Sequence, residues 1–440
     1  MHVSNLIIIT INSTFATMKN SNAIILLFTA NIISGLAQGI SMIAIPWYFV
    51  EIVDKQNYFT NSYLIITFLT LFWGLYAGTI IDRYSRKKIF IILNIICGSF
   101  VGLIALYGIY NQNISDIFVI AVFMLTIFNY NIHYPNLYAL GQEITESKYY
   151  GKLNSYIEVQ GQVTSVLAGA FAAILLTGTT NGQLSLAGVT FSLPFDIKAW
   201  NIYDIFLMDA ITYLFVILIF SYLKYQPLVE KNINKENLIT RFKQGLKFLK
   251  SNNLIFIFGL CSYMLFAFTL VEIHIVLPSY VRNFLQKSGD IYASAEIYYS
   301  FGAIFSGILI IRLFRNFKIL TSVIFLFAIV IIMLYFMSEY KLIWIFFIGN
   351  FIIGITNAGV RILRTTFLFN NVPNNLIGRV NSVFNSLNII VRLLLIGMLS
   401  LPFFDLQDNI RYAYLVGAFL LIISLVILLF YYKKIIKNSE

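Results

Sequence analysis

Cysteine is nearly absent from this chain. There are two in 440 residues, Cys97 and Cys261, both inside apolar runs, so no disulfide framework is implied. Charge is scarce as well: 11% of residues are charged and 59% are hydrophobic, against about 25% charged in soluble domains. A chain so composed could not cover a water-facing globule with polar groups. Histidine is limited to His2, His133 and His274, spread over separate segments with no H-E-x-x-H spacing, which excludes a histidine-built metal hydrolase. No G-x-x-x-x-G-K-[ST] loop exists, because Gly151-Lys152 is followed by Leu153; a phosphate-cradling ATP-driven pump is thereby excluded. No nucleophile–base pair or metal cluster stands out, so an enzyme is not expected, and no cofactor is called for.

What the chain has in abundance is long apolar runs. Mean hydropathy is +0.82, and a hydrocarbon layer about 30 Å thick needs roughly 20 apolar residues per helix. That rule gives twelve membrane-spanning helices, near 23–51, 60–81, 89–110, 115–138, 155–177, 202–223, 254–281, 291–311, 319–338, 342–362, 382–401 and 411–432. The reading is an all-α membrane protein. One connection, 178–201, is too polar to span and longer than its sister loops. The net charge of +11 does not point to nucleic acid, since the basic residues sit in short loops between apolar runs. Only Lys55, Lys198, Arg282, Lys287, Lys341 and Arg411 fall on one side of the membrane, and Arg392 lies within a span. The rest of the 30 Lys and Arg, counting Arg361 at the last turn of span ten, fall on the other side, which the positive-inside bias makes cytoplasmic, with both termini.

The chain is accordingly read as a cytoplasmic segment 1–22, six spans over 23–223, a cytoplasmic linker 224–253, six spans over 254–432 and a tail 433–440. The run Leu6 to Ile11 is short and has no basic residue before it, so no secretory signal is read. Met18, followed by Lys19, is a second candidate start. In the linker, Leu238, Phe242, Leu246 and Leu249 recur at helical spacing, with Arg241, Lys243, Lys247 and Lys250 largely off the stripe. This predicts an amphipathic helix, either on the inner membrane surface or solvated as a linker.

The two sets of six spans echo each other. "IAIPWY" at 43–48 matches "IVLPSY" at 275–280, an offset of 232 residues. "GTIIDRYSRK" at 78–87 aligns with "GILIIRLFRN" at 307–316, "NYNIHYPN" at 129–136 with "NAGVRILR" at 357–364, and "GKLNS" at 151–155 with "GRVNS" at 378–382. Four matches in order, with a slowly drifting offset, mark a duplicated unit. The stretch Gly78 to Lys87 resembles the signature loop G-x-L-a-D-R-x-G-R-K between helices two and three of the major facilitator superfamily, with Ser85 in place of the second glycine. "RFKQGLKFLKSNNLI" before span seven and "GRVNSV" opening span eleven are similar to the macrolide-efflux and drug:proton antiporter branch.

This resemblance implies two pseudo-symmetric six-helix bundles, the major facilitator fold, acting as a monomer in a bacterial inner or plasma membrane. It implies transport of a small molecule across the lipid bilayer, energised by the proton gradient, with export of an amphipathic drug, antibiotic or metabolite foremost. Proton-linked uptake, or a lipid- or siderophore-type cargo, is the alternative. The resemblance also implies a gating role for Gly78, Asp82, Arg83, Arg86 and Lys87, in which Asp82 meets a helix end in the opposite half. The second copy has Ile311 where the acid would stand and keeps Arg312 and Arg315. Two family features are missing: span four carries no arginine, and "SVLAGA" in span five is only a loose version of the antiporter motif.

Polar residues in lipid are costly and generally face the protein interior. Asn129, His133 and Asn136 share one face of span four, as do Asn350, Asn357, Arg361 and Arg364 in span ten. These faces either line a cavity or join neighbouring helices. Asn154, Glu158, Gln162 and Ser165 form a stripe on span five, and Asn381, Asn385, Asn388 and Arg392 form one on span eleven. Asp209 and Glu272 are the deepest acids. Glu272, Asp209 and Glu158 are therefore candidates for carrying a proton, and Arg392, too deep to snorkel easily, for meeting a charge. Trp47, Tyr48, Phe72 and Trp73 are candidates for an apolar cavity wall.

Overall fold

The structure, a computed structural model, describes residues 20–179, 182–228, 238–314, 316–373 and 376–434, without the side chains of Leu75, Asp82, Ser147, Leu238, Ile311 and Gln407. The candidate starts Met1 and Met18, and Arg315, lie outside it. Among the described residues, twelve helices are long and apolar enough to cross a membrane: Ser21–Ile52, Gln56–Ile81, Arg86–Asn111, Asp116–Ile144, Tyr150–Thr177, Ile202–Tyr222, Asn253–Leu285, Gly289–Ile310, Ile319–Glu339, Ile343–Asn371, Ile377–Leu399 and Asp408–Phe430. They are called spans one to twelve below. Spans four and ten run six and nine residues beyond their expected ends at 138 and 362. Backbone hydrogen bonding carries a helix past the point where its side chains turn polar, whereas an apolar window stops there. Pro135 sits inside span four without ending it.

The chain divides into two compact units. Unit one comprises Met1–Ile45, Phe72–Ala168 and Trp200–Lys235. Its core joins Leu27 and Phe28 of span one, Phe90 of span three, Leu140 of span four, Leu153 of span five and Phe220 of span six. Phe90 and Phe220 stack with centroids 4.6 Å apart. Glycines on span three admit aromatic rings from span six: a Cβ on Gly98 would crowd Tyr213, and one on Gly108 would crowd Tyr203. Span six opens with a capping box, in which the Asp204 carboxylate accepts from the Asn201 backbone N–H at 3.0 Å while the Asn201 side chain caps the first turn.

Unit two comprises Pro46–Leu71, Gly169–Ala199 and Glu236–Glu440. Spans eight and ten approach backbone to backbone, because a Cβ on Gly302 would overlap the Phe351 carbonyl and one on Gly354 the Tyr299 carbonyl. Such contact is open only to residues without side chains. The connection 178–201 contains a hairpin, β1 Gln183–Leu186 paired antiparallel with β2 Val189–Ser192. Ala187 and Gly188, at φ 55 and φ 80, form the two-residue turn that suits a hairpin's twist. The turn docks on span eight, with Ala187 N–H donating to Ser294 Oγ at 2.9 Å and the Tyr298 hydroxyl to Ala187 O at 3.0 Å.

The linker helix, Leu238–Ser251, packs on the start of span eleven, where Gly245 fits closely against the Arg379 carbonyl. Its inward side is Phe242, Gly245, Phe248 and Leu249, while Leu246 is 43% exposed. Leu246 of the expected stripe therefore lies outside the contact with span eleven.

The "PWY" and "PSY" echoes share a backbone shape. Each proline is followed by a π-helical turn, Tyr48–Ile52 and Tyr280–Leu285. Both turns run on to a left-handed non-glycine residue, Asp54 at φ 51 and Gln286 at φ 55. The next N–H reaches back six residues in both, Lys55 to Phe49 O at 2.7 Å and Lys287 to Val281 O at 3.0 Å. The prolines, the first residues of the turns, the left-handed residues and the bonded pairs of the second set all lie 232 residues after their counterparts. A left-handed L-residue costs roughly 1–2 kcal/mol, so its recurrence at equivalent positions is a structural counterpart of the sequence repeat. Span seven carries a further π turn, Glu272–Val276.

Candidate functional site

The charges around Gly78–Lys88 form a network inside unit one. Gly78 has open space beside it, Arg83 is exposed, and the Asp82 side chain lies outside the described residues. Arg86, at the start of the span-three helix, pairs with Glu143 at the end of span four. The other Glu143 oxygen accepts from the Tyr225 hydroxyl at 2.9 Å. Burial first, and that bond second, push the Tyr225 phenol up to about 12. Asn136 donates to the Arg86 carbonyl at 2.9 Å. Lys87 donates to the carbonyls of Ser221 at 3.2 Å and Leu223 at 2.8 Å, placing a cation on the negative end of the span-six dipole. Glu143 is not legible as a site residue in the sequence, because an acid at a span's polar end carries no local signal of its partner.

Within the membrane-spanning part of unit one, Asp209 is fully buried. One carboxylate oxygen accepts from Ser41 Oγ at 3.2 Å and the other makes no hydrogen bond. Asn129 reaches the hydroxyl of Tyr213, one turn beyond Asp209. His133 Nε2 shares a hydrogen bond with Asn31 Oδ1 at 2.9 Å. The polar face of span four is thus engaged with spans one, three and six, a geometry that suits helix joining. Glu158 is exposed and accepts from the Tyr138 hydroxyl at 2.7 Å. Phe72 is exposed, and Trp73 donates from its indole N–H to Phe128 O at 2.9 Å.

Unit two holds the denser set. Glu272 is fully buried where span seven leaves regular α-helix for its first π turn. Its Oε1 accepts from the Tyr414 hydroxyl of span twelve at 3.2 Å, and its Oε2 makes no hydrogen bond. A second acid, Glu296 of span eight, lies close enough to interact with Glu272, and both influence Tyr292 and Tyr299. Trp47 is buried and stacks on Tyr292 at 5.2 Å. From span ten, Asn357 donates to the Tyr299 hydroxyl at 2.8 Å, and Arg361 interacts with the same ring's hydroxyl. The structure thus gathers Glu272, Asn357, Arg361 and Trp47 around Tyr292 and Tyr299, and adds Glu296, which sequence reasoning passed over.

On span eleven, Asn381 and Asn385 are exposed, whereas Asn388 is buried and donates to Tyr263 O at 3.4 Å. The Arg392 guanidinium hydrogen-bonds the Tyr63 hydroxyl and acts electrostatically on His274. Tyr63 and His274 meet edge to face at 5.4 Å. Arg364, equivalent to Asn136, is buried, stacks 3.6 Å over the Tyr263 ring and donates to Ser262 O at 3.1 Å. Near the chain reversals, Glu51 pairs with Arg282, Gln56 accepts from Asn283 at 3.2 Å and Asn57 bonds Asp405.

Comparison with solved structures reveals the same fold in several transporters. The nucleoside transporter NupG aligns with a TM-score of 0.65 at 13% identity, covering 94% of this chain and 99% of its own. A bacterial homologue of the iron transporter ferroportin, in its inward-facing state, gives 0.67 at 14%, covering 92% and 98%. A D-xylose-proton symporter gives 0.66 at 11%, covering 92% and 96%. No curated protein sequence matches the chain. The sequence model of the Major Facilitator Superfamily matches residues 27–396. That match begins in span one and ends in span eleven, well over half of the chain: this protein belongs to the Major Facilitator Superfamily.

Proposed function

We propose that the protein is a proton-coupled secondary transporter that exports a small amphipathic compound by alternating access. It works from a bacterial inner membrane as a monomer with both termini cytoplasmic, its moving parts being the six-span halves 23–223 and 254–432. The observation that carries this reading is Glu272. A carboxyl group buried among helices, held through one oxygen by Tyr414 and with its second oxygen unsatisfied, is poised to exchange a proton, since an ionised acid there is costly without a partner. Neighbouring Glu296 raises that cost, because two carboxylates in one site resist joint ionisation. Asp209 and Glu158 are second candidates for the proton.

The signature loop serves as the inner gate, with Asp82 the latch and Arg86, fixed by Glu143, holding the loop in place. The pairs Glu51–Arg282 and Asn57–Asp405 support closure on the outer side. A second reading, proton-linked uptake, is favoured by the charged and amide groups concentrated in unit two, which suit a polar cargo. The test is small-molecule profiling of cells that express the protein, its Glu272→Gln variant or neither. Export predicts lower cell content of at least one compound with the wild type only; uptake predicts the reverse.

A further inference from the structure

Of the four arginines on spans ten and eleven, Arg379 lies at the start of its helix, and the other three are not equivalent. Arg364 is satisfied by the Tyr263 ring and the Ser262 carbonyl. Arg361 faces the Tyr299 hydroxyl. Arg392 reaches the Tyr63 hydroxyl, but its Nε is buried and makes no hydrogen bond. Among the described residues no carboxylate forms an ion pair with it. A guanidinium within a membrane span needs a counter-charge, and a neutral phenol does not supply one. The unsatisfied Nε–H is also half of the fork with which arginine grips an oxyanion in two parallel bonds.

We infer that Arg392, with Tyr63 and His274, forms an oxyanion-binding subsite, and that the cargo is an amphipathic organic acid whose carboxylate docks on that guanidinium. This inference deepens the transport reading and rests on it. The fork is filled by Nε–H and one Nη–H of Arg392, and the Tyr63 hydroxyl turns from the Leu270 carbonyl, 3.4 Å away, to the same carboxylate. Tyr63 and Phe59 stack on each other and are both closed off by their neighbours in this structure, so the apolar body attached to the acid reaches these rings when the transporter opens. A bare inorganic anion would fill the fork and leave those rings unused.

The test uses the full-length protein in lipid nanodiscs and follows thermal stability. The probes are benzoate, naphthoate and octanoate, their uncharged amides, inorganic phosphate, and the cations benzylammonium and octylammonium. At constant ionic strength, one or more of the carboxylates should raise the melting temperature while its amide does not. Arg392→Gln should weaken that binding at least about tenfold, Arg392→Lys less, and Tyr63→Phe least. Size-exclusion profiles and unliganded melting temperatures identify any variant that fails to fold, and Arg392→Lys and Tyr63→Phe then decide the matter. Absence of binding by every carboxylate, equal binding of acid and amide, binding of phosphate alone, or undiminished binding by all three variants would overturn the subsite. Binding of amides or cations without carboxylates would overturn it while leaving transport standing. Carboxylate binding with no flux in proteoliposomes would instead overturn the transport reading.

Discussion

The two units treat charge in opposite ways. In unit one the ion pairs sit at or between helix ends, Arg86 with Glu143 and Lys148 with Glu146, while the acids within its spans are the exposed Glu158, bonded by Tyr138, and the buried Asp209, bonded by a serine. In unit two, acids and cations penetrate the spans: Glu272 and Glu296 on seven and eight, Arg361 and Arg392 on ten and eleven. Charge at a helix end can be solvated, so it fastens and orients. Charge inside a span costs stability unless compensated, so its retention points to a task. On this reading unit one is the fastened part and unit two carries the chemistry.

The glycines show the same division. In unit one a Cβ on Gly98 or Gly108 would meet the Cβ of Tyr213 or Tyr203 at 2.8 or 2.6 Å; in unit two one on Gly302 or Gly354 would meet a facing backbone carbonyl more closely still. Gly302→Leu should therefore have the largest effect of all, beyond the roughly 1–3 kcal/mol typical of overpacking. The expected outcome is no monodisperse protein after detergent extraction, while Gly98→Ala remains extractable. Glu272→Gln comes next. It should fold normally, with its stability unchanged within about 1 kcal/mol, yet lose gradient-driven transport at least about tenfold.

Asp82→Asn should impair flux by a smaller factor without affecting membrane insertion; unchanged flux would remove the latch from the account. Glu143→Gln leaves Arg86 without its anion, and should lower stability by about 1–3 kcal/mol in thermal melts, with the proton coupling of the surviving protein intact. Asp209→Asn should have the smallest effect on transport, less than about twofold, because its replacement keeps the size and can still bond Ser41. A loss there as deep as that of Glu272→Gln would dissolve the contrast between the units.

Much of the fold was legible in the sequence because lipid imposes a simple rule, a sufficient run of apolar residues per span. All twelve spans follow from it. The rule fails where the controlling physics is not hydrophobic. The π turns after Pro46 and Pro278 leave no mark on hydropathy, although the "PWY" and "PSY" echo pointed to the right places. The hairpin was legible in principle: "QLSL" and "VTFS" flank Ala187-Gly188, a two-residue turn between alternating segments. Hydropathy alone marks the 178–201 connection only as too polar to span and longer than its sister loops.

The site was less legible. Glu272 and Arg392 stood out as charges deep in apolar windows. Glu296 lies nearer the end of its span, and its significance depends on which neighbour it faces. His274 is one of three scattered histidines, and Tyr63 sits in an apolar window with no local signal. Their meeting with Arg392 joins spans two, seven and eleven, and no local pattern encodes contacts between distant helices.

The central claim is that Glu272 couples cargo movement to protons. The most direct test quantifies small molecules inside and outside cells by mass spectrometry, with wild type, Glu272→Gln or an empty vector, with and without a protonophore. The account predicts a compound displaced outward by the wild type alone, an effect erased both by the protonophore and by the substitution. A displaced compound whose movement survives either treatment would contradict it.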